Sequence, residues 1–253
     1  LEQIPWYKNA YFIKSEKSVL TKTDMFQQGC FYIQNSSSLI PPIVLDPQPK
    51  EIILDMCAAP GGKTFQIAEM SKNQAYIYAN DNSGPRLKTM KDRGAVYDVD
   101  IVHYFQQPAQ FLDRHTDQKF DKILLDAQCS GEGMIDFNDP AAMKYWNEKR
   151  IEKFSYLQKK MLRAAYKMLN PGGTIVYSTC TLAPEENEEV IHFGLKHFDG
   201  LEVENINIDI DNKAFGITSW RKKILNPQVK KCLRVLPNTY MEPFFVCKLK
   251  KSI

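Results

Sequence analysis

Residues 51–64 read EIILDMCAAPGGKT. EIILD is a short apolar run ending in an acid, the pattern of a strand buried on both faces. The small residues and two glycines behind it let backbone amides approach a ligand, and the N-terminus of a helix from about Gly62 to Ser71 faces the same point. Such a junction suits a nucleotide-like ligand. The alternation then continues: a strand AYIYAN (75–80), a helix from about Pro85 to Arg93, a strand near Asp100 to His103 and a strand FDKILLDA (120–127). A long amphipathic helix from about Glu148 to Leu169, a strand TIVYST (174–179) and a helix after Pro184 follow. Strands alternating with helices imply right-handed crossovers and predict a doubly wound, mostly parallel α/β sheet with helices on both faces. NPGG at 170–173 reads as a helix stop followed by a tight turn. EPFFVCKLK (242–250) reads as the last strand. Residues 1–50, rich in aromatics, Gln, Asn, Ser and Pro, are expected to form an N-terminal extension to a domain spanning 51–253.

Composition sets outer limits. Of 253 residues, 43% are hydrophobic and 25% charged, so the chain can bury a core and is no disordered tail. It has no run of about 18 apolar residues to span a bilayer, and the opening LEQIPWYKNAYF lacks the basic and apolar regions of a secretory signal. A cytoplasmic monomer is the expectation. Thirty-three Lys and Arg against thirty Asp and Glu give a net +3, which permits a polyanionic partner without demanding one. The six cysteines include no CxxC pair and no Cys/His ligand spacing, so no metal site is expected. Cys30, Cys232 and Cys247 read as core residues, and the four histidines need no function.

In open parallel sheets ligands bind beyond the carboxyl ends of the strands. Three unusual loops begin there: DMCAAPGGKT (55–64), DAQCSGEG (126–133) and TCTLAPEENE (179–188). The first nearly matches the phosphate-binding GxxxxGK[ST] pattern, with Gly62, Lys63 and Thr64 in place but Cys57 where the first glycine belongs. KILLD imitates the acidic strand that holds magnesium in such proteins, so a nucleoside triphosphatase is the alternative. That reading leaves Cys129 and Cys180 unexplained, and Cys57 and Pro60 stiffen a loop that must wrap phosphates. Asp81, at the end of the second strand, has the offset of an acid that hydrogen-bonds a ribose, or it caps the next helix.

Cys129 and Cys180 follow adjacent strands and face one pocket. A thiolate can add to carbon 6 of cytosine, making carbon 5 nucleophilic enough to take a methyl group, after which a base removes the carbon 5 proton and the thiol leaves. A helix starting near Pro184 would lower the Cys180 pKa with its positive end, while Glu185, Glu186 and Glu188 would oppose it. Asp126, ending the KILLD strand, is placed to protonate or hydrogen-bond ring nitrogen 3, or else to bind magnesium or cap the loop.

These loops, with YIQNSSSLIPPIVLDP (32–47), LQKKMLRAAYKMLNPGG (157–173) and the EPFFVCKL ending, resemble the Nol/Nop/Sun (Fmu/RsmB-like) RNA cytosine-5 methyltransferases over about residues 30 to 250. The resemblance implies a class I methyltransferase fold, S-adenosyl-L-methionine as cofactor, and a flipped-out cytosine in tRNA or rRNA as substrate. It places the nucleophile at Cys180 and the thiol that assists release at Cys129. It assigns the cofactor to Cys57, Ala58, Ala59, Pro60, Gly61, Gly62 and Lys63, with Asp81, Arg86 and Asp126. Two positions depart from the family pattern. Gln128 stands where a proline usually precedes the release cysteine, and HYFQQPAQF (103–111) replaces an acid after the third strand, leaving Gln106 as a candidate adenine contact. A noncatalytic RNA-binding relative is the reading these departures motivate. The family also carries an RNA-binding region before the core, and a chain opening at Leu1 fits a segment missing upstream. Within the chain, Arg221, Lys222, Lys223, Lys230, Lys231 and Arg234, flanked by Phe215 and Trp220, offer phosphate contacts and a stacking surface. The basic residues of the long helix read mostly as a solvated face.

Overall fold

The computed structural model describes residues 1–14, 17–131, 133 and 147–253. Its centre is a nine-stranded sheet. The strands are β1 (Ile52–Asp55), β2 (Tyr76–Asn80), β3 (His103–Phe105), β4 (Phe120–Asp126), β5 (Leu169–Thr179), β6 (Leu201–Glu204), β7 (Lys213–Phe215), β8 (Leu233–Val235) and β9 (Phe244–Lys251). They run in the order β3-β2-β1-β4-β5-β9-β8-β7, with β6 beside the later part of β9. The first five are parallel and β9 is antiparallel to β5. This is the doubly wound fold expected from the sequence. The chain leaves β1 toward β2 and β3, then returns to β4 on the other side, so the switch in strand order, where such folds bind ligands, lies between β1 and β4.

The described α-helices of six or more residues are α1 (Ile40–Leu45), α2 (Gly62–Met70), α3 (Gly84–Val96), α4 (Glu148–Met168) and α5 (Glu188–His197). Burial on both faces explains the apolar strands: Ile123 and Leu125 pack into one core layer, and Leu124 between them into the other. α4 carries a buried stripe of Ile151, Ser155, Gln158, Leu162, Ala165 and Met168 at helical spacing, and exposes Lys149, Arg150, Lys153 and Arg163. Its first turn is capped by the Asn147 side chain, which accepts from the Arg150 amide at 2.8 Å. The core extends back beyond Glu51. Ile40 and Leu45 of α1 are fully buried with β1, and the Ser37 hydroxyl donates to the Glu242 carbonyl at 2.6 Å. No described helix is long and apolar enough to cross a membrane.

Three local expectations shift. The third strand begins at His103 rather than Asp100, because the Asn73 side chain donates to the Asp98 carbonyl and accepts from the Asp100 amide, holding that stretch as a loop. NPGG is no tight turn: Phe120 pairs with Leu169 and Lys122 with Thr174, so the four residues bulge out within β5, with Gly172 at φ 71°. α5 starts at Glu188, not at Pro184, because the Asn187 side chain turns back to donate to the Thr181 carbonyl and accept from the Thr179 hydroxyl.

Candidate active site

The loop after β1 is shaped by its backbone. Gly61 has φ 112°, and a Cβ there would stand 2.4 Å from the Phe65 ring. A Cβ on Gly62, the first residue of α2, would meet Tyr32 at 2.8 Å and Gln34 at 2.9 Å. Ala58 and Ala59 are buried, and the Ala58 amide donates to the Asn80 carbonyl at 2.8 Å. Asn80 links three segments, donating to the Met56 and Gln107 carbonyls and accepting from the Gln107 amide. The next residue, Asp81, is nearly buried; it accepts from the Ser83 amide at 2.9 Å and pairs with Arg86 at 3.1 Å. Arg86 also donates to the Ala59 carbonyl, which joins Asp81 to the glycine loop. Gln106 lies against Gly84 at the start of α3, beside the Asp81 turn. Pro60 is exposed at the loop's tip.

Under this loop Asp55 accepts from the Thr64 hydroxyl at 2.7 Å and from the Cys57 amide at 3.3 Å. Burial pushes its carboxyl up to about 7, against the pull of those donors. Burial also pushes the Cys57 thiol up, while the Gln128 backbone amide draws it the other way. The extra donor that a proline at position 128 would lack thus faces a sulfur acceptor.

Lys63 and Asp126 bridge the switch point at 2.7 Å. Burial alone would lower the Lys63 pKa, but Asp126 outweighs it and raises it. The Ser178 hydroxyl holds the other Asp126 oxygen at 2.7 Å, and the Phe244 ring lies 5.4 Å from the Lys63 ammonium. With Lys63 and Thr64 both engaged by carboxylates, neither side chain is directed to a phosphate or its metal, which argues against the triphosphatase alternative.

Beside this pair the two thiols meet, Cys129 Sγ to Cys180 Sγ 3.0 Å. Their surroundings are unequal. The hydrogen bond between the two sulfurs lowers the Cys180 pKa, with Lys63 adding to the effect against burial and Asp126. Cys129 is raised by the same bond, by burial and by the charge of Glu186. Of the two thiols, Cys180 is the one whose surroundings favour ionisation. The expected source of this depression, a helix beginning near Pro184, is corrected, since α5 starts farther on. The acids expected to oppose it are occupied: Glu186 accepts from the Ser130 amide and Gln158, Glu188 pairs with Arg234, and Glu185 accepts from Trp220.

The proposed phosphate contacts divide. Arg234 is buried, its Nε and Nη2 on the two Glu188 oxygens at 2.7 and 2.6 Å and its Nη1 on the Leu182 carbonyl, so it is a structural residue. Arg221 pairs with Glu148 and Glu185, Lys223 with Glu189, and Lys231 donates to the Val203 carbonyl. Lys222, Lys230 and Phe215 lie on the surface. Glu132 of the DAQCSGEG loop lies outside the described residues. Sequence reasoning missed Asn80, Gln158, Ser178 and the hydrogen bonding of Glu186; only Gln158 left a signal, as a polar residue in the buried stripe of an amphipathic helix.

Known proteins resemble this chain in sequence and fold. Residues 42–250 match the family described as 16S rRNA methyltransferase RsmB/F. A tRNA (cytosine(49)-C(5))-methyltransferase of Pyrococcus abyssi is 37% identical over 99% of this chain and 80% of its own length. Ribosomal RNA small subunit methyltransferase F of Shewanella loihica is 35% identical over 99% of this chain, which spans about half (51%) of that relative. Among solved structures, a methyltransferase homolog protein from Pyrococcus horikoshii superposes with a TM-score of 0.85 at 34% identity, covering 99% of this chain and 77% of that one. NSun6 from Pyrococcus horikoshii with SFG gives 0.75 at 33%, covering 92% and 56%. Because the family match spans residues 42–250, a range that holds the glycine loop and both thiol loops, the chain belongs to the 16S rRNA methyltransferase RsmB/F family.

Proposed function

We propose that the chain methylates carbon 5 of a cytosine in tRNA or rRNA, with S-adenosyl-L-methionine as methyl donor and Cys180 as nucleophile. The observation that carries this reading is the 3.0 Å thiol pair beside the Lys63–Asp126 ion pair. The names of the relatives, which include both tRNA and rRNA enzymes, support the substrate class.

The donor set fits the cofactor. Asp81 at the end of β2 offers a carboxylate to ribose hydroxyls, Gly61 and Gly62 keep the loop free of Cβ atoms, and Arg86, Cys57, Ala58, Ala59, Pro60, Lys63 and Asp126 complete its surroundings. When bound, the cofactor supplies the electrophilic methyl carbon that carbon 5 takes up. The chain's own residues do the rest. The Cys180 thiolate forms a bond to carbon 6 and the ring's displaced electrons reach nitrogen 3, which takes a proton from solvent, steered by Asp126, and gives it back once those electrons have formed the carbon 5–methyl bond. After methylation a base removes the carbon 5 proton, the electrons of that bond expel Cys180 as thiolate, and Cys129 assists release.

Methylation of total RNA with radiolabelled cofactor tests the assignment. Cys180→Ala is expected to lose at least about 10⁴-fold in rate, the scale of removing a nucleophile. Cys129→Ala is expected to trap a covalent RNA adduct visible on a denaturing gel. A Cys180→Ala chain that still methylates RNA would sink the nucleophile. Calorimetry with the cofactor and with ATP–magnesium separates the readings further, since binding of ATP alone would favour a triphosphatase.

A further inference from the structure

α4 is the crossover from β4 to the parallel strand β5, so it begins at the rim where the two thiols stand and runs toward the opposite edge of the sheet. Its inner face holds that rim. The Ser155 hydroxyl donates to the Glu185 carbonyl of the Cys180 loop at 2.6 Å, and the Gln158 side chain donates to the Gln128 carbonyl of the Cys129 loop at 2.8 Å. The outer face is a different surface. Positions 149, 153, 156, 160, 163 and 167 follow one another at steps of four and three, the spacing that keeps side chains in one row along a helix. They are Lys149, Lys153, Tyr156, Lys160, Arg163 and Lys167, a row of cations around one tyrosine, with no acid in it.

Most of this charge is left uncancelled. Lys167 pairs with Asp113 at 3.0 Å, but among the described residues no carboxylate pairs with Lys149, Lys153, Lys160 or Arg163. Two of the four are steadied by rings instead: the Lys160 ammonium lies 4.2 Å from the Tyr156 ring centre and the Arg163 guanidinium 6.0 Å from that of Phe193. Such contacts orient a cation without neutralising it. The two acids of the helix look elsewhere, Glu148 pairing with Arg221 at 2.8 Å and Glu152 lining the groove that Arg221 also lines. From Lys149 to Arg163 the row is about 21 Å long at about 1.5 Å per residue, and its like charges at helical spacing repel one another unless a polyanion lies along them. A bilayer surface does not suit it, because the apolar face of α4 is buried in the core and has nothing to insert. A nucleic-acid backbone does suit it: a line of phosphates meets a line of cations.

We infer that Lys149, Lys153, Lys160 and Arg163 on the outer face of α4 form a track for the sugar–phosphate backbone of the substrate RNA, taking up the strand where it leaves the methylation site. The inference rests on the reading of the chain as an RNA methyltransferase and adds to it the surface that carries affinity. Phosphate contacts of this kind set the register of the strand without reading its bases, so the track would serve any sequence that presents a cytosine to the thiols.

The test uses the full chain and end-labelled total RNA, with filter retention measured between about 50 and 200 mM salt. A row variant combines Lys149→Gln, Lys153→Gln, Lys160→Gln and Arg163→Gln; glutamine forms helix as readily as lysine, so melting is expected to stay at the wild-type temperature. The slope of log affinity against log salt is expected to fall by about three, and affinity at the middle of the range by about thirtyfold or more. A control variant with Lys17→Gln, Lys22→Gln, Lys72→Gln and Lys88→Gln loses the same net charge from other surfaces and is expected to shift the slope by less than about one. An unchanged slope in the folded row variant overturns the inference, as does an equal loss in the control, which would make net charge the cause. A wild-type chain that retains no RNA overturns it too. Should the combined variant fail to fold, Lys153→Gln and Lys160→Gln decide singly, each expected to lower the slope by about one, and a wild-type slope in both overturns the inference. Methylation is scored separately: a wild-type chain that methylates RNA while the row variant keeps its slope loses the track alone. One that binds RNA through the row without methylating it loses the enzymatic reading and keeps the track.

Discussion

The two sides of the site are held by different means. On the cofactor side the loop from Cys57 to Lys63 is set by backbone: a glycine at φ 112°, an amide of Ala58 on the Asn80 carbonyl, and a second glycine where a Cβ would strike Tyr32. On the thiol side the loops are set by buried side chains, with Gln158 and Glu186 holding one and Asn187 and the Glu188–Arg234 pair holding the other. A backbone-set loop is broken by adding atoms; a loop set by buried polar side chains is broken by removing them.

The largest effect is therefore expected on the thiol side. Glu188→Ala leaves the Arg234 guanidinium buried without its bidentate partner and is expected to cost about 3–5 kcal/mol of stability, read by denaturant unfolding. A cost below about 1 kcal/mol would show that the pair contributes little to holding the Cys180 loop. Next comes Asp55, beneath the cofactor side. Its folded pKa of about 7 lies above the ordinary value of 3.8, so the folded state holds its proton longer, and stability from this group falls as pH rises from about 4 to about 7. Unfolding free energy between pH 5 and pH 8 is expected to decline in the wild-type chain by about 3 kcal/mol more than in Asp55→Asn. Parallel curves would place the carboxyl's titration elsewhere. Gly61→Ala adds a Cβ into Phe65 at a left-handed backbone and is expected to cost about 2 kcal/mol, of which Phe65→Leu in the same chain restores only the steric part. The smallest effect is that of Asp81→Asn, expected to weaken cofactor binding about tenfold in calorimetry while changing the melting temperature little.

The same contrast governs what the sequence discloses. EIILD, AYIYAN, KILLD and TIVYST announce strands through local apolarity, and the glycine loop announces itself through residues adjacent in the chain, so the parallel half of the sheet is legible to within a few residues. Asp126 beside Lys63 and Cys129 beside Cys180 follow once the strand ends are placed on one rim. The rest depends on partners far apart in sequence. Arg234 reads as one more cation of a basic cluster until Glu188, forty-six residues earlier, is found against it. Glu186 reads as an acid near a thiol until Ser130 and Gln158 are seen to occupy it, and NPGG reads as a turn because nothing in its own composition reveals that β4 pairs on both sides of it. Asn187 delays a helix that Pro184 would permit, for the same reason.

The position of β9 has a consequence for how the chain is made. Although it comes late in the sequence, it lies inside the sheet between β5 and β8, pairing Thr174 through Thr179 with Lys250 through Phe245. During synthesis the outer edge of β5, with its apolar Ile175, Val176 and Tyr177, must wait for the long stretch up to Phe245 to emerge, several seconds at about 5–20 residues per second. Throughout that interval a flat, apolar strand edge stands open to pairing with another chain. A nascent chain halted between β5 and β9 would accordingly expose this edge to pairing with its neighbours.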